Sequence, residues 1–202
     1  PGSLVGSEMC IRDRIIKEIL LSFESNDIDN YEIVFVDDGS TDNSTAIIDK
    51  FINKGFHIKC ISLSRNFGHQ IALSAGLKYV SGDYVAILDG DLQDPPSVVN
   101  EFIKASYNSK AEIVYGIRRK RKENIIKKTC YKLFYQLLFF ISNIKIPLDS
   151  GDFCLLTRTA VNAINDIPEK NRFIRGLRSY IGFSQIGVKY ERDARKSGEV
   201  KY

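Results

Sequence analysis

A run that is apolar on both faces can be a stable strand only where it is covered from both sides, and Glu32-Ile-Val-Phe-Val-Asp37 is such a run. It ends in the turn Asp38-Gly39-Ser40, and Thr41 or Asp42 can cap a following helix with Ala46, Ile47, Ile48, Phe51 and Ile52 on its inner face. The pattern repeats. A second strand is expected near Ile58 to Leu63, then the loop Ser64-Arg-Asn-Phe-Gly68, then a helix whose small residues Ala72, Ala75 and Gly76 let it lie close to a sheet. Asp83 to Leu88 reads as a third strand, a helix follows from about Ser97, and Ala111 to Tyr115 reads as a fourth strand. This alternation predicts an α/β fold: a doubly wound, mostly parallel sheet with helices on both faces. Phe153 to Leu156 and Ser184 to Glu191 are further strands, Arg158 to Asn165 a helix, and Lys120 to Ser142 a long helix, basic first and aromatic later.

Ligands of such sheets sit beyond the carboxyl ends of the strands, and the acidic turns lie at those ends. Asp89 and Asp91 flank Gly90 after the third strand. Two carboxylates this close repel by a few kcal/mol at an effective dielectric of about 20, which a cation relieves. Mg²⁺ and Mn²⁺ take oxygen ligands, and Mg²⁺ is commonly shared between one or two carboxylates and substrate phosphates. An Asp-x-Asp turn therefore suits a metal–diphosphate clamp, to which Gln93 can add a carbonyl oxygen. Asp37 and Asp38 at the neighbouring strand end can accept hydrogen bonds from a base or from ribose hydroxyls, with Gly39 permitting the tight turn.

Charge and composition narrow the class. The net charge of the 202 residues is only +4, but Arg118, Arg119, Lys120, Arg121, Lys122, Lys127 and Lys128 fall in one stretch, which suits an anionic partner. Cys10, Cys60, Cys130 and Cys154 show no C-x-x-C spacing and read as reduced thiols in a cytosolic setting, without a zinc site or disulfide framework. The most apolar run, Leu133 to Ile141, is short of the roughly 20 residues that a membrane span needs, and Pro1 to Arg14 lacks the pattern of a signal peptide.

Taken together, the words Val36-Asp-Asp-Gly-Ser-Thr-Asp42, Leu63-Ser-Arg-Asn-Phe-Gly68, Leu88-Asp-Gly-Asp-Leu-Gln-Asp-Pro-Pro96, Tyr115-Gly-Ile-Arg118, Ser150-Gly-Asp-Phe153, Arg172-Phe-Ile-Arg-Gly176 and Gly198-Glu-Val-Lys-Tyr202 resemble glycosyltransferase family 2. The likeness is strongest to its polyprenyl-phosphate branch, that of dolichol-phosphate mannose synthases and bactoprenol glucosyltransferases. The resemblance implies a GT-A fold and an inverting transfer of a sugar from a nucleotide diphosphate to a polyprenyl phosphate at the cytoplasmic face of the membrane, with Mg²⁺ or Mn²⁺ as cofactor. It implies that Asp37, Asp38, Ser40, Arg65 and Asp89 face the nucleotide and that Asp91 with Gln93 holds the metal. Asp152 matches the acceptor-activating position, with Asp149 a nearby competitor, and Arg118, Arg172, Arg175 and Lys201 are candidate phosphate ligands. The basic and aromatic segment Arg118 to Ile141 would rest on an anionic membrane surface. Self-association in the full-length protein is left open.

The family's opening strand, with its Pro-x-Tyr-Asn-Glu-like word, has no counterpart here. Residues 1–14 are expected to be foreign sequence and residues 15–202 a catalytic domain lacking that strand and C-terminal membrane helices, hence impaired; Val200 stands where Ser or Thr is commoner. The competing expectations are a family 2 transferase with a soluble or glycan acceptor and a non-catalytic nucleotide-binding fragment. A receiver domain is disfavoured by length. A nucleic-acid module is disfavoured because the basic residues form one segment beside an acidic edge.

Overall fold

The computed structural model describes residues 5–42, 44–119, 147 and 150–192, with side chains from residue 12 onward. The expected helix over 120–142, Asp149 and Lys201 lie outside the described residues.

The chain opens with α1 (Val5–Glu24) and runs through β1 (Ile33–Asp37), α2 (Ser44–Ile52), β2 (Ile58–Ser62), α3 (His69–Tyr79), β3 (Tyr84–Ile87), α4 (Val98–Ser109) and β4 (Ile113–Arg118). After residue 149 come β5 (Ser150–Thr157), α5 (Arg158–Asn165), α6 (Ile174–Tyr180) and β6 (Gln185–Tyr190). Helix α1 crosses the boundary expected at residues 14 and 15 without a break. Its Ile15, Ile16 and Ile19 are buried with Ile47, Ile48 and Phe51 of α2 in one apolar cluster, and Lys17–Asp13 and Arg14–Glu18 pair one turn apart on the solvent side.

The described strands form two sheets. β1 and β2 pair in parallel, as expected. The other sheet has the order β3-β5-β4-β6 and is mixed rather than mostly parallel: β4 and β6 are parallel, but β5 runs antiparallel to both neighbours. The reason is that Phe153, Cys154, Leu155 and Leu156 are all buried. Such a run says that a strand is central but carries no direction. Phe102 of α4 stacks on Phe153 at 4.8 Å on one face, while Ala160, Val161 and Ile164 of α5 and Leu77 of α3 cover the other. Cys60 and Cys154 are free thiols.

β1 and β3 are not bonded to each other. Between them lies a cavity of about 1070 Å³, with β1 on one side, β3 on the other and Ala72, Leu73 and Gly76 of α3 on its lining. Glu32 spans the gap at one end. Its carboxylate accepts the Ser81 and Gly82 amides and the Ser81 hydroxyl just ahead of β3, and it also holds Lys59 at 2.8 Å. His69, Asp89 and Gly90, past the carboxyl ends of the strands, also line the cavity. β1 and β3 thus run side by side with their carboxyl ends at one rim.

Candidate functional site

At that rim the loop after β1 and the loop after β2 are locked together. Asp38 accepts the amide of Phe67 at 2.7 Å on one oxygen and that of Gly68 at 2.8 Å on the other. Gly39 (φ +71°) lies so close that a Cβ would stand 2.4 Å from the carbonyl carbon of Arg65, so no larger residue fits. Asp37 accepts the Ser40 amide at 3.3 Å. Arg65 is exposed, with its guanidinium 4.0 Å from the centre of the Phe67 ring. Of the expected nucleotide residues, Asp37 and Asp38 therefore shape the loop with their carboxylates, while Ser40 and Arg65 stand at its exposed edge.

The Asp-x-Asp turn is held from beneath. Leu92 has a left-handed backbone (φ 59°), an uncommon and strained conformation for leucine. Its side chain is buried in the α1–α2 cluster, which keeps the turn in place. Asp91 accepts the Gln93 amide at 3.0 Å, and its other oxygen lies 3.8 Å from Arg192. Asp94 is buried; it accepts the Tyr190 hydroxyl at 2.5 Å and faces Arg192 Nε at 3.3 Å, an ion pair without hydrogen-bond alignment. Burial pushes the Tyr190 phenol up to about 12, and Asp94 adds to this while Arg118 opposes it. Arg118, at the end of β4, thus sits beside this pair.

Facing the turn is Asp152 on β5. One of its oxygens is 3.4 Å from Arg175 and 3.4 Å from His69 Nε2, and the same nitrogen is 3.9 Å from Asp89. The other oxygen of Asp152 is buried, with no hydrogen-bond partner among the described residues. Burial raises the Asp89 carboxyl, as do Asp94, Asp91 and Asp152, with His69 opposing. For Asp152 burial also acts upward, but the His69 hydrogen bond, Arg175 and Arg178 outweigh it and hold the carboxyl below its ordinary value. The hydrogen bond to Asp152 raises His69, against burial and Arg175.

The structure thus brings Asp89, Asp91, Asp152 and Arg175 to one rim, with Arg118 beside it. Arg172 is not part of it: its guanidinium donates to the carbonyl of Ile164 and closes the last turn of α5, one of the terminal carbonyls a helix leaves open. Four residues escaped the sequence reading. His69 follows directly on the Ser-Arg-Asn-Phe-Gly word, a position that could have drawn notice. Arg178 is buried and points both terminal nitrogens at the Gly151 carbonyl, ahead of Asp152. It carried no signal, since one arginine in a short helix looks like surface. Tyr190 and Arg192 meet Asp94 only through the parallel pairing of β6 with β4.

The described residues hold no group of three or more His, Cys, Asp or Glu side chains arranged to cage a metal by themselves. The donor set nonetheless fits a hard divalent ion shared with phosphates. It offers the carboxylate of Asp91 on a stiff turn, with Asp89 nearby and raised by burial and, beyond that, by its anionic neighbours. No described helix is long and apolar enough to cross a membrane.

Residues 10–164 match the model of the family described as Glycosyl transferase family 2. Among curated relatives, the chain is 45% identical over 175 residues to the uncharacterized glycosyltransferase YkcC of Bacillus subtilis, covering 86% of this chain and 54% of that one. It is 37% identical over 172 residues to a prophage bactoprenol glucosyl transferase homolog of Escherichia coli, covering 85% and 56%. The chain spans about half the length of these relatives. Among solved structures it resembles glucosyl-3-phosphoglycerate synthase from Mycobacterium tuberculosis in complex with Mn²⁺, UDP-glucose and phosphoglyceric acid. There the TM-score is 0.58 at 17% identity, over 98% of this chain and 78% of that one. The mannosyltransferase PcManGT of Pyrobaculum calidifontis, in complex with GDP-mannose and Mn²⁺, matches with TM-score 0.54 at 17% identity, over 78% and 45%. At such identity these likenesses show the fold, which is GT-A.

Proposed function

The chain belongs to glycosyl transferase family 2, and from that premise we propose that it is the catalytic part of an inverting transferase that moves a sugar from a nucleotide diphosphate to a polyprenyl phosphate at the cytoplasmic face of a membrane. The observation that carries the reading is the meeting of Asp89, Asp91 and Asp152 at one rim, with Arg175 against Asp152 and Arg192 against Asp91. The similarity to a bactoprenol glucosyl transferase homolog supports the lipid acceptor.

Asp38 holds the loop that borders the nucleotide, and Asp89 faces the nucleotide from the end of β3. Asp91, with the carbonyl of Gln93, would hold Mg²⁺ or Mn²⁺ together with the diphosphate, where a divalent ion neutralises charge on the leaving group. Asp152 is held in its ionised form. A phosphate acceptor is itself ionised at neutral pH, so Asp152 orients the attacking oxygen rather than removing a proton from it. An ionised carboxylate beside an anionic acceptor requires compensating cations, and Arg175 at 3.4 Å supplies one. Arg118, beside Tyr190 and Asp94, is placed to meet phosphate at the far side of the turn.

Calorimetric titration with UDP- and GDP-sugars, with and without Mn²⁺, tests the donor half. Asp91→Asn is expected to weaken Mn²⁺-dependent donor binding about tenfold or more, roughly 1.4 kcal/mol. Equal affinity in Mn²⁺ refutes the metal assignment, and transfer to a soluble glycan but not to a polyprenyl phosphate refutes the acceptor.

A further inference from the structure

We propose that the gap between β1 and β3 is a docking site for one extended apolar peptide segment, which enters it as a strand and joins the two sheets. Glu32 measures the gap. Its side chain reaches roughly 5 Å from Cα to carboxylate oxygen, and that oxygen accepts the Gly82 amide at 3.1 Å and the Ser81 hydroxyl at 2.8 Å. The chain just ahead of β1 and the chain just ahead of β3 are therefore about 9 Å apart. Paired strands lie about 4.8 Å apart, so twice that spacing, about 9.6 Å, leaves the width of one further strand. The volume agrees. A strand residue fills roughly 160 Å³ at the spacings of layered sheets. A cavity of about 1070 Å³ then holds about six or seven residues, against five in β1 and four in β3.

The edges specify the backbone of the occupant. Ile33 donates to His57 and Asp37 accepts from Leu63, so these residues of β1 face β2. Asp83 accepts from Arg158, so Asp83 and, by alternation, Val85 face β5. Val34 and Val36 on one side, and Tyr84 and Ala86 on the other, thus turn amide and carbonyl into the gap. No ladder among the described residues takes them up. Two facing rows of donors and acceptors at strand spacing suit a peptide backbone, which carries N–H and C=O on both sides; an acyl chain or an aromatic ring would leave them unmet. The lining specifies the side chains. Ala72, Leu73 and Gly76 of α3 line the gap, as do Val99 and Ile103 of α4. Helix α3 packs in the cluster that holds Val85 and Ile87, and α4 in the one that holds Ala86 and Leu88, so helices cover both faces of β3. An occupant that continues this layer is apolar on both faces, the pattern of a strand covered from both sides. Val34, Phe35 and Val36 are only half-buried, so docking has apolar surface left to cover.

The test uses the 202-residue chain, which contains no tryptophan. The probe is a capped peptide whose valine and isoleucine core surrounds a single tryptophan and whose ends carry lysines for solubility. Its emission is expected to shift to the blue on binding, with a Kd below about 1 mM. A version with proline on either side of the tryptophan lacks those amides and should bind about tenfold more weakly or worse. At saturation, hydrogen exchange at Val34, Val36, Tyr84 and Ala86 should slow about tenfold or more, while Ile33 and Val85, already in ladders, keep their rates. No binding of the peptide, equal affinity of the proline version, or unchanged exchange at the four amides overturns the proposal. Protection of these amides that rises with protein concentration, without peptide, makes a second copy of this chain the occupant and also overturns it. Displacement of the peptide by equimolar decanoate does the same in favour of an acyl chain. Peptide docking needs none of the rim carboxylates, so it is expected whether or not the donor titration succeeds.

Discussion

Glu32 joins the start of β1 to the start of β3 across the cavity, and neutralising it should loosen that end of the molecule in a pH-dependent way. Burial acts to raise its carboxyl, but the Lys59 hydrogen bond, the Ser81 amide and hydroxyl and the Lys59 charge together bring it from 4.5 down to about 2. At ~1.4 kcal/mol for each tenfold change in proton affinity, the upper bound is roughly 3.4 kcal/mol. Lys59 is itself mostly exposed and its contact well solvated, so screening reduces the expected value to about 1–2 kcal/mol. The sign follows from the direction. A carboxyl depressed by folding stabilises fully above its unfolded value near 4.5, and the contribution disappears as pH falls through about 2. Glu32→Gln should therefore lower Tm by about 2–8 °C at pH 7, and the gap between variant and wild type should close between pH 4.5 and about 2. Denaturant melts across that range provide the assay. Lys59→Met should cost less, about 0.2–1 kcal/mol, because only the exposed pair is lost. A Glu32→Gln effect of equal size at pH 7 and pH 2, or none at pH 7, refutes the account.

Other consequences can be checked in parallel. Asp38→Ala removes two charge-assisted bonds to backbone amides and should cost about 1–3 kcal/mol in urea melts while raising the donor Kd. Tyr190→Phe leaves the buried Asp94 short of a partner, for a loss of about 1–3 kcal/mol by the same assay. In ultraviolet difference spectra it should also remove the phenol that ionises at about 12. Ile33 donates to His57 and Asp83 accepts from Arg158, so by alternation Val34, Val36, Tyr84 and Ala86 turn their amides toward the cavity. Hydrogen exchange at these four should outpace that at Ile33, Phe35 and Val85; equal protection would mean that the edges of β1 and β3 are paired.

Much of the framework was legible from residue order alone, because local pattern suffices to write it. Period and turn chemistry place β1 to β4, and the acidic words close those strands, so Asp38, Asp89 and Asp91 could be assigned to one edge before any coordinates. Asp152 was named only through the resemblance of Ser150-Gly-Asp-Phe153 to a family word, and β5 sets its carboxylate 3.4 Å from His69. Tertiary structure decided what depends on partners distant in the chain. An all-apolar β5 reads alike in either direction, and only its two neighbours make it antiparallel. Arg172 and Arg175 stand three residues apart in one motif, yet one turns to the Ile164 carbonyl and the other to Asp152. Asp94 looked like part of a turn until β6 brought Tyr190 and Arg192 onto it. Backbone form follows from neighbours within a few residues, and hence from the string of letters. The direction a charged side chain takes follows from which unmet polar group is closest in space, and that is known only once the chain has folded.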